Sequence, residues 1–191
     1  SNRYDVMNDI MSFGLHRIWK KQFLKLCGID SKHTVLDIAC GTGDISFEIL
    51  KKKPSITITC LDPNPDMIKI CEQKLINKGI TNVDYKITSI EEYLPTNKKF
   101  DLITVAFGFR NFTNHQKALK NIFNLLEPGG LFLIMDFKQP RNKIYSKIFK
   151  YYTLNVIPKI GKVIANDEDS YRYLGESIQT YYSPDEIKNM L

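Results

Sequence analysis

Leu36-Asp-Ile-Ala-Cys-Gly-Thr-Gly-Asp44 is the stretch on which the fold turns. It starts inside the apolar run Thr34-Val-Leu-Asp-Ile-Ala39 and leads into a helical pattern reaching Lys52, so a buried strand passes through a glycine turn into a helix. The alternation continues outward. Residues 56–61 are β-branched and end at Asp62-Pro63, and residues 66–77 carry Met67, Ile68, Cys71 and Leu75 at helical spacing. Residues 83–87 and 100–106 read as a third and a fourth strand. Thr113 with Gln116 three residues on predicts a capping box that opens a helix to Leu126. Glu127-Pro-Gly-Gly130 stops that helix, and residues 131–137 form a fifth strand. Strands that are apolar throughout and joined by helices imply a parallel sheet covered on both faces, a doubly wound α/β fold.

Composition agrees with one ordinary globular domain over residues 1–191. The chain is 43% hydrophobic and 25% charged, which excludes disorder, collagen and coiled coil. At this length about 70% of the unfolded surface can be buried. Net charge is +6, but the surplus rests on Lys, with five Arg among 27 basic residues. Arginine forks are what phosphate and guanine recognition favour, so nucleic acid is not an expected partner. Solvated surface, with mild attraction to anionic membranes, is the expected role of the lysines. Cys27, Cys40, Cys60 and Cys71 show no C-x-x-C spacing, and the three histidines are not near them in sequence, so reduced intracellular thiols and no metal are expected. No stretch approaches the roughly 18 consecutive apolar residues of a membrane span. No signal peptide is visible, and the start at Ser1-Asn2 is compatible with a removed leader.

The glycine turn points to a ligand. Gly41 and Gly43 let one approach the backbone, and the helix start offers unpaired N–H groups. A dinucleotide fingerprint needs Gly or Ala where this chain has Ser46. Asp37 and Asp44 bracket the turn; carboxylates repel a pyrophosphate but suit an ammonium and a sulfonium, which favours S-adenosylmethionine over a nicotinamide cofactor. Asp62, at the end of the second strand, is placed to accept both ribose hydroxyls of an adenosine, and Ser89 could reach the adenine edge. Asp37 either steers the methionine ammonium or serves as a buried helix-capping acid.

Three blocks carry a resemblance: Tyr4-Asp-Val-Met-Asn-Asp-Ile-Met-Ser-Phe-Gly-Leu-His-Arg-Ile-Trp19, Ala106-Phe-Gly-Phe-Arg-Asn-Phe112, and Ala165-Asn-Asp-Glu-Asp-Ser-Tyr-Arg-Tyr-Leu-Gly-Glu-Ser-Ile178. In these the chain resembles the ubiquinone/menaquinone biosynthesis C-methyltransferases over essentially its whole length. The resemblance implies the class I S-adenosylmethionine-dependent methyltransferase sheet, with its last two strands missing from this chain and the fifth strand left as an open edge. It implies methyl transfer to a ring carbon of a polyprenyl hydroquinone, a benzoquinol or demethylmenaquinol. Cofactor contacts then fall on Thr42, Asp62 and the pair Ser89-Ile90, beside the Asp37, Gly41 and Gly43 that the glycine turn itself offers, while Tyr4, Arg110 and Asn111 match positions beside the quinol ring. The chain departs from the family at Ser89, where Asn or Asp is common, at Ala106, and at Met135-Asp-Phe-Lys-Gln-Pro140, where Glu-Phe-Ser is usual.

Carbon methylation needs an electron-rich ring carbon aligned with the methyl group, so the protein's tasks are positioning, a proton route and a dry pocket. Arg110 is too basic to act as a direct base and is assigned to the developing phenolate, or else to a surface salt bridge; Asn111 shares that hydrogen bonding. Tyr4 either hydrogen-bonds the ring hydroxyl or packs as an aromatic anchor. His16 either moves a proton or bonds a backbone carbonyl. Residues 1–30 are expected to form a helical lid, 31–140 the cofactor-binding core and 141–191 substrate-side helices. Leu15, Ile18, Trp19, Phe23 and Leu26 form one apolar stripe with Lys20, Lys21 and Lys25 facing away, and Tyr145, Ile148, Phe149, Tyr152 and Val156 form a second, before Pro158. Each stripe taken alone reads first as core packing; the alternative has the first resting on a membrane and the second walling a polyprenyl tail. A peripheral membrane location is expected, on the matrix face of the mitochondrial inner membrane or in a bacterial cytoplasm, with a homodimer and a quinone-biosynthesis complex as possible assemblies. The rival functions are a nicotinamide oxidoreductase, a nucleic-acid methyltransferase, which the absence of Asn/Asp-Pro-Pro-Tyr after the fourth strand opposes, and a non-catalytic partner in a biosynthetic complex.

Overall fold

The computed structural model describes residues 14–30, 33–94, 97–137, 143–165 and 168–191. Helix α1 (Leu15–Leu26) leads into β1 (Thr34–Ile38), α2 (Asp44–Lys52), β2 (Thr57–Asp62), α3 (Pro65–Ile76), β3 (Val83–Ile87) and β4 (Phe100–Ala106). Then come α4 (His115–Leu125) and β5 (Leu126–Met135). All pairings are parallel, in the order β3-β2-β1-β4-β5, so the doubly wound reading holds. Sequence order reverses between β1 and β4, which makes the carboxyl ends of those strands the ligand-binding crevice of such a sheet.

The three inner strands are apolar on both faces because both faces are covered. Val35, Leu36, Ile58, Cys60, Leu61, Leu102, Ile103 and Val105 have no exposed surface, and each such aliphatic side chain contributes about 1.5–3 kcal/mol. Val35, Ile58 and Leu102 join Phe23, Leu24 and Cys27 of the first helical segment and Ile45, Ile49 and Leu50 of α2 in one cluster. At the amino edge the Asp101 carboxylate accepts from the Thr34 backbone N–H (2.7 Å) and hydroxyl (2.9 Å), which pins β1 against β4.

Four local expectations change. The N-cap of α4 is Asn114, whose Oδ1 accepts from Lys117 N–H (2.9 Å), not Thr113. The Thr113 N–H and hydroxyl are instead spent on Glu91 Oε1 (2.8 and 3.1 Å). Strand β5 starts at Leu126, paired with Phe100, and residues 127–130 form a bulge before Leu131 pairs with Leu102. On α1 Phe23 of the expected stripe is buried and Trp19 half-buried, joined by His16 and Leu24 from outside it, whereas Leu15, Ile18 and Leu26 are exposed, so the stripe read from spacing packs only in part. Helical backbone also continues past Pro158: α5 (Lys143–Tyr151) passes through a π turn (Tyr152–Val156) into α6 (Ile157–Ala165). Pro158 has no N–H to give to the turn before it, and the wider turn absorbs that loss.

The chain divides into two compact units, residues 21–136, which hold the sheet, and residues 1–20 with 137–191. Within the second, Ile157 and Tyr171 form a small core against Phe137, Tyr152, Ile160 and Leu174, and Trp19 meets Phe137 edge-on at 6.2 Å. Tyr171 and Leu174 lie on α7 (Glu168–Thr180), which is followed by α8 (Pro184–Met190). Ser183 and Glu186 cap α8 reciprocally.

Candidate active site at the carboxyl edge of the sheet

The loop from β1 to α2 is held in left-handed backbone, at φ 51° for Ala39, 54° for Gly41 and 76° for Gly43. Phe107, just beyond β4, is also left-handed at φ 60°. Two non-glycine residues in this conformation, at the ends of adjacent strands, mark a site whose surroundings hold it in strain. The loops touch, since a Cβ on Gly108 would stand 2.4 Å from the Ala39 Cβ. A Cβ on Gly43 would stand 2.3 Å from Cys71 Sγ, so only glycine fits there; one on Gly41 would meet nothing within 4 Å. Gly41 therefore faces open space over the start of α2, a cradle suited to a ligand.

Asp62 closes the cradle from β2. Its Oδ2 accepts from Gly41 N–H and its Oδ1 from Asn64 N–H, both at 2.9 Å. A carboxylate offers about four acceptor positions, so these bonds leave capacity for ribose hydroxyls. Asp62 is in register with Ile87, which sets Ser89 two residues further along the neighbouring strand's exit. Ser89 is half-buried and Ile90 is buried, with the Ile90 carbonyl accepting from Asn121 Nδ2 at 2.9 Å. Thr42 is half-buried on the loop itself. These residues fit an adenosine-bearing cofactor.

The acidic bracket behaves differently at its two ends. Asp44 pairs with Lys74. Asp37 is 1% exposed, and its carboxylate accepts from Ser46 Oγ (2.6 Å) and Thr104 Oγ1 (2.9 Å). Burial pushes its pKa up to about 7 against the hydroxyl bonds that lower it. The residue that takes the place of a third fingerprint glycine, Ser46, is thus the partner of this acid.

On the other side of the crevice a short 3₁₀ turn (Phe109–Asn111) carries Arg110 and Asn111. Arg110 Nη1 donates to Asp136 Oδ1 and to the Phe107 carbonyl, both at 2.5 Å, and Asp136 Oδ2 accepts from the Arg110 N–H at 3.1 Å. Both side chains of the ion pair are buried, so it is not the exposed surface bridge that was the rival reading. Asn111 is exposed. His115 stacks edge-on against Phe109 and its Nε2 meets the Phe109 carbonyl at 3.0 Å. His16 is buried; Tyr4 lies outside the described residues.

Two participants were missed in the sequence. Asp136 follows β5 as Arg110 follows β4, and strand adjacency alone would have paired them. Glu91 accepts from Thr113 and Asn114 and so ties the exit of β3 to the loop before α4. The sequence also gave no sign that Cys40, Cys60 and Cys71 gather behind the cradle, their sulfurs within 4.8 Å of one another. Hydrogen bonding with Cys40 and Cys60 holds the Cys71 thiol below the ordinary thiol range.

Comparison with known proteins identifies the family and the fold. The model of the ubiE/COQ5 methyltransferase family matches residues 1–191. The ubiquinone/menaquinone biosynthesis C-methyltransferase UbiE of Hydrogenovibrio crunogenus is 40% identical over 193 residues, covering 100% of this chain and 76% of that protein. The UbiE of Blochmanniella floridana is 43% identical over 194 residues, with the same coverage. Among solved structures, the plantazolicin methyltransferase BpumL, in complex with a triazolic desmethylPZN analog and SAH, superposes with a TM-score of 0.64 at 18% identity. It is covered to 66% by all of this chain, and it shares the fold.

Proposed function

The chain belongs to the ubiE/COQ5 methyltransferase family, and from that premise we propose that the crevice between β1 and β4 transfers a methyl group from S-adenosylmethionine to a ring carbon of a polyprenyl hydroquinone in ubiquinone or menaquinone biosynthesis. The observation that carries this reading is the open cradle at Gly41, closed by the Asp62 carboxylate, at the same carboxyl edge of the sheet as the buried Arg110–Asp136 pair. The cofactor, when bound, supplies a methyl group already made electrophilic by its sulfonium.

Gly41, Thr42 and Gly43 hold the cofactor by backbone approach, Asp62 takes the ribose hydroxyls, and Ser89 and Ile90 border the adenine. Asp37 is sealed beneath the loop, so it serves the cofactor seat by tying β1 to α2 and β4 rather than by contact with the ammonium. Arg110 stabilises the phenolate that develops as the ring hydroxyl ortho to the reacting carbon loses its proton. Asp136 aims the guanidinium, and Asn111 and Tyr4 complete the hydrogen bonding to the ring.

A polyprenyl tail is too apolar to travel in water, so the same proposal includes peripheral contact with a membrane. Ile144, Tyr145, Ile148 and Tyr151 of α5 are each more than 60% exposed along one side of the helix, and Leu15 and Ile18 of α1 are exposed beside Lys21 and Lys25. No helix among the described residues is long and apolar enough to cross a membrane. Residues 1–191 act in this reading as one methyltransferase domain, with 1–30 as lid, 31–140 as cofactor core and 141–191 on the substrate side. A homodimer or a quinone-biosynthesis complex, at the matrix face or in a bacterial cytoplasm, would be its setting.

The test is calorimetric titration with S-adenosylhomocysteine beside NADH. We expect micromolar binding of the first alone, abolished in Asp62→Ala, followed by methylation of short-chain demethylated quinol analogues. Binding of NADH alone would overturn the reading, and cofactor binding without methylation of any quinol would leave a non-catalytic partner.

A further inference from the structure

Cys40 leaves β1 in the cofactor loop, Cys60 stands in the middle of β2, and Cys71 sits on the face of α3 against that loop. Cys60 and Cys71 are fully buried, with their sulfurs 4.0 Å apart, and Cys40 is half-buried. None of the three is in a disulfide. A three-coordinate centre bound to thiolates at about 2.3 Å holds its sulfurs about 4.0 Å apart when all four atoms are coplanar and about 3.5 Å apart when a lone pair makes it pyramidal. One pair stands at 4.0 Å and the whole trio lies within 4.8 Å, so movements of about an ångström would close the set to the pyramidal spacing.

The surroundings choose the kind of centre. Among the described residues no further Cys, His, Asp or Glu joins the three, and the Ser46 hydroxyl, 3.2 Å from Cys60 Sγ and donating to Asp37, is only a weak neutral ligand. Tetrahedral zinc is thereby disfavoured. Charge decides further. Three thiolates around a monovalent or divalent cation would leave net negative charge in a buried site behind Asp37, at a large desolvation cost. A trivalent centre leaves none.

We propose that Cys40, Cys60 and Cys71 form a capture site for a trivalent, three-coordinate thiophilic metalloid of the arsenic(III) class, and that its occupation opposes cofactor binding in the loop above. The step balances without any oxidant: arsenous acid and three thiols give a trithiolate and three waters, with three As–O bonds exchanged for three As–S bonds and the thiol protons leaving in the water. Half-buried Cys40 is the point of entry. The loop couples the two sites, because the Cys40 N–H donates to the Leu61 carbonyl (3.1 Å), its carbonyl accepts from Gly43 N–H (2.9 Å), and Gly43 packs on Cys71. Drawing Cys40 toward Cys60 and Cys71 moves the same backbone that Asp62 holds at Gly41. This coupling rests on the cofactor seat proposed above; the capture itself does not.

The experiment adds arsenite alone to the reduced chain and reads intact mass, with folding checked by circular dichroism. The expected product gains one arsenic less three hydrogens in the wild type and in Cys27→Ala, and this adduct is lost in Cys71→Ala and in Cys40→Ala. Cys40→Ala changes a half-buried position and keeps the test decisive if the buried variant fails to fold. No adduct in the wild type, or the same adduct in folded Cys40→Ala, overturns the site. For the coupling, S-adenosylhomocysteine should bind the loaded chain about ten-fold more weakly than the free chain, and arsenite should show the reciprocal loss. Unchanged affinity overturns the coupling while leaving the capture site standing. Failure of S-adenosylhomocysteine to bind either form would instead fault the proposed cofactor seat, which the mass measurement does not depend on.

Discussion

Arg110 and Asp136 show how much of a site can depend on one pair. The guanidinium proposed to meet developing negative charge is held by Asp136, which bonds both the side chain and the backbone of Arg110. Asp136→Asn keeps the shape and weakens the hold. It should lower kcat by about ten- to a hundred-fold while leaving S-adenosylhomocysteine affinity unchanged, because the residue acts through Arg110 and not on the cofactor. Steady-state kinetics beside calorimetry checks this, and an equal loss in both quantities would make Asp136 a general prop of the crevice. The sequence made Arg110 legible through its block but left Asp136 unread, since the pairing exists only between neighbouring strand exits.

Among the elements, α1 separates pattern from packing most clearly. Its helical extent is readable to the residue, but of the stripe Leu15, Ile18, Trp19, Phe23 and Leu26 the fold buries Phe23 and exposes Leu15, Ile18 and Leu26, while it buries His16 and Leu24 from outside the stripe. The helix therefore presents apolar residues outward beside its lysines. If this surface meets anionic lipid, reversing Lys20, Lys21 and Lys25 to Glu should abolish co-sedimentation with phosphatidylglycerol vesicles and leave cofactor binding intact. Undiminished sedimentation would remove α1 from the membrane contact. At α4 the sequence named the right region and the wrong cap, because a Thr that serves Glu91 cannot also serve the helix.

For the whole molecule, the buried Asp37 gives folding a pH dependence. Its folded pKa of about 7 lies above the ordinary 3.8 of an exposed carboxylate. The unfolded chain therefore releases this proton first. The contribution is fully present below the ordinary carboxylate value and is lost as pH rises through about 7. The melting temperature of the wild type should fall across that interval relative to Asp37→Asn, which keeps a neutral side chain between Ser46 and Thr104. Parallel melting curves for the two proteins at every pH would show that Asp37 is ionised inside the fold.

The order of strands and helices was set by the sequence alone, because a parallel sheet covered on both faces requires strands that are apolar on both sides, and such runs are visible in one dimension. The glycine loop was legible for a related reason: backbone at positive φ and close approach to a helix demand glycine, as at Gly43. What lies far apart in the chain was decided only by tertiary structure. Arg110 meets Asp136, Asp37 meets Thr104, and Cys40, Cys60 and Cys71 meet one another because strands β1, β2, β4 and β5 and helix α3 bring their ends and faces together. Spacing along the chain carries no record of such contacts, since each arises from the pairing of whole elements rather than from the residues between them.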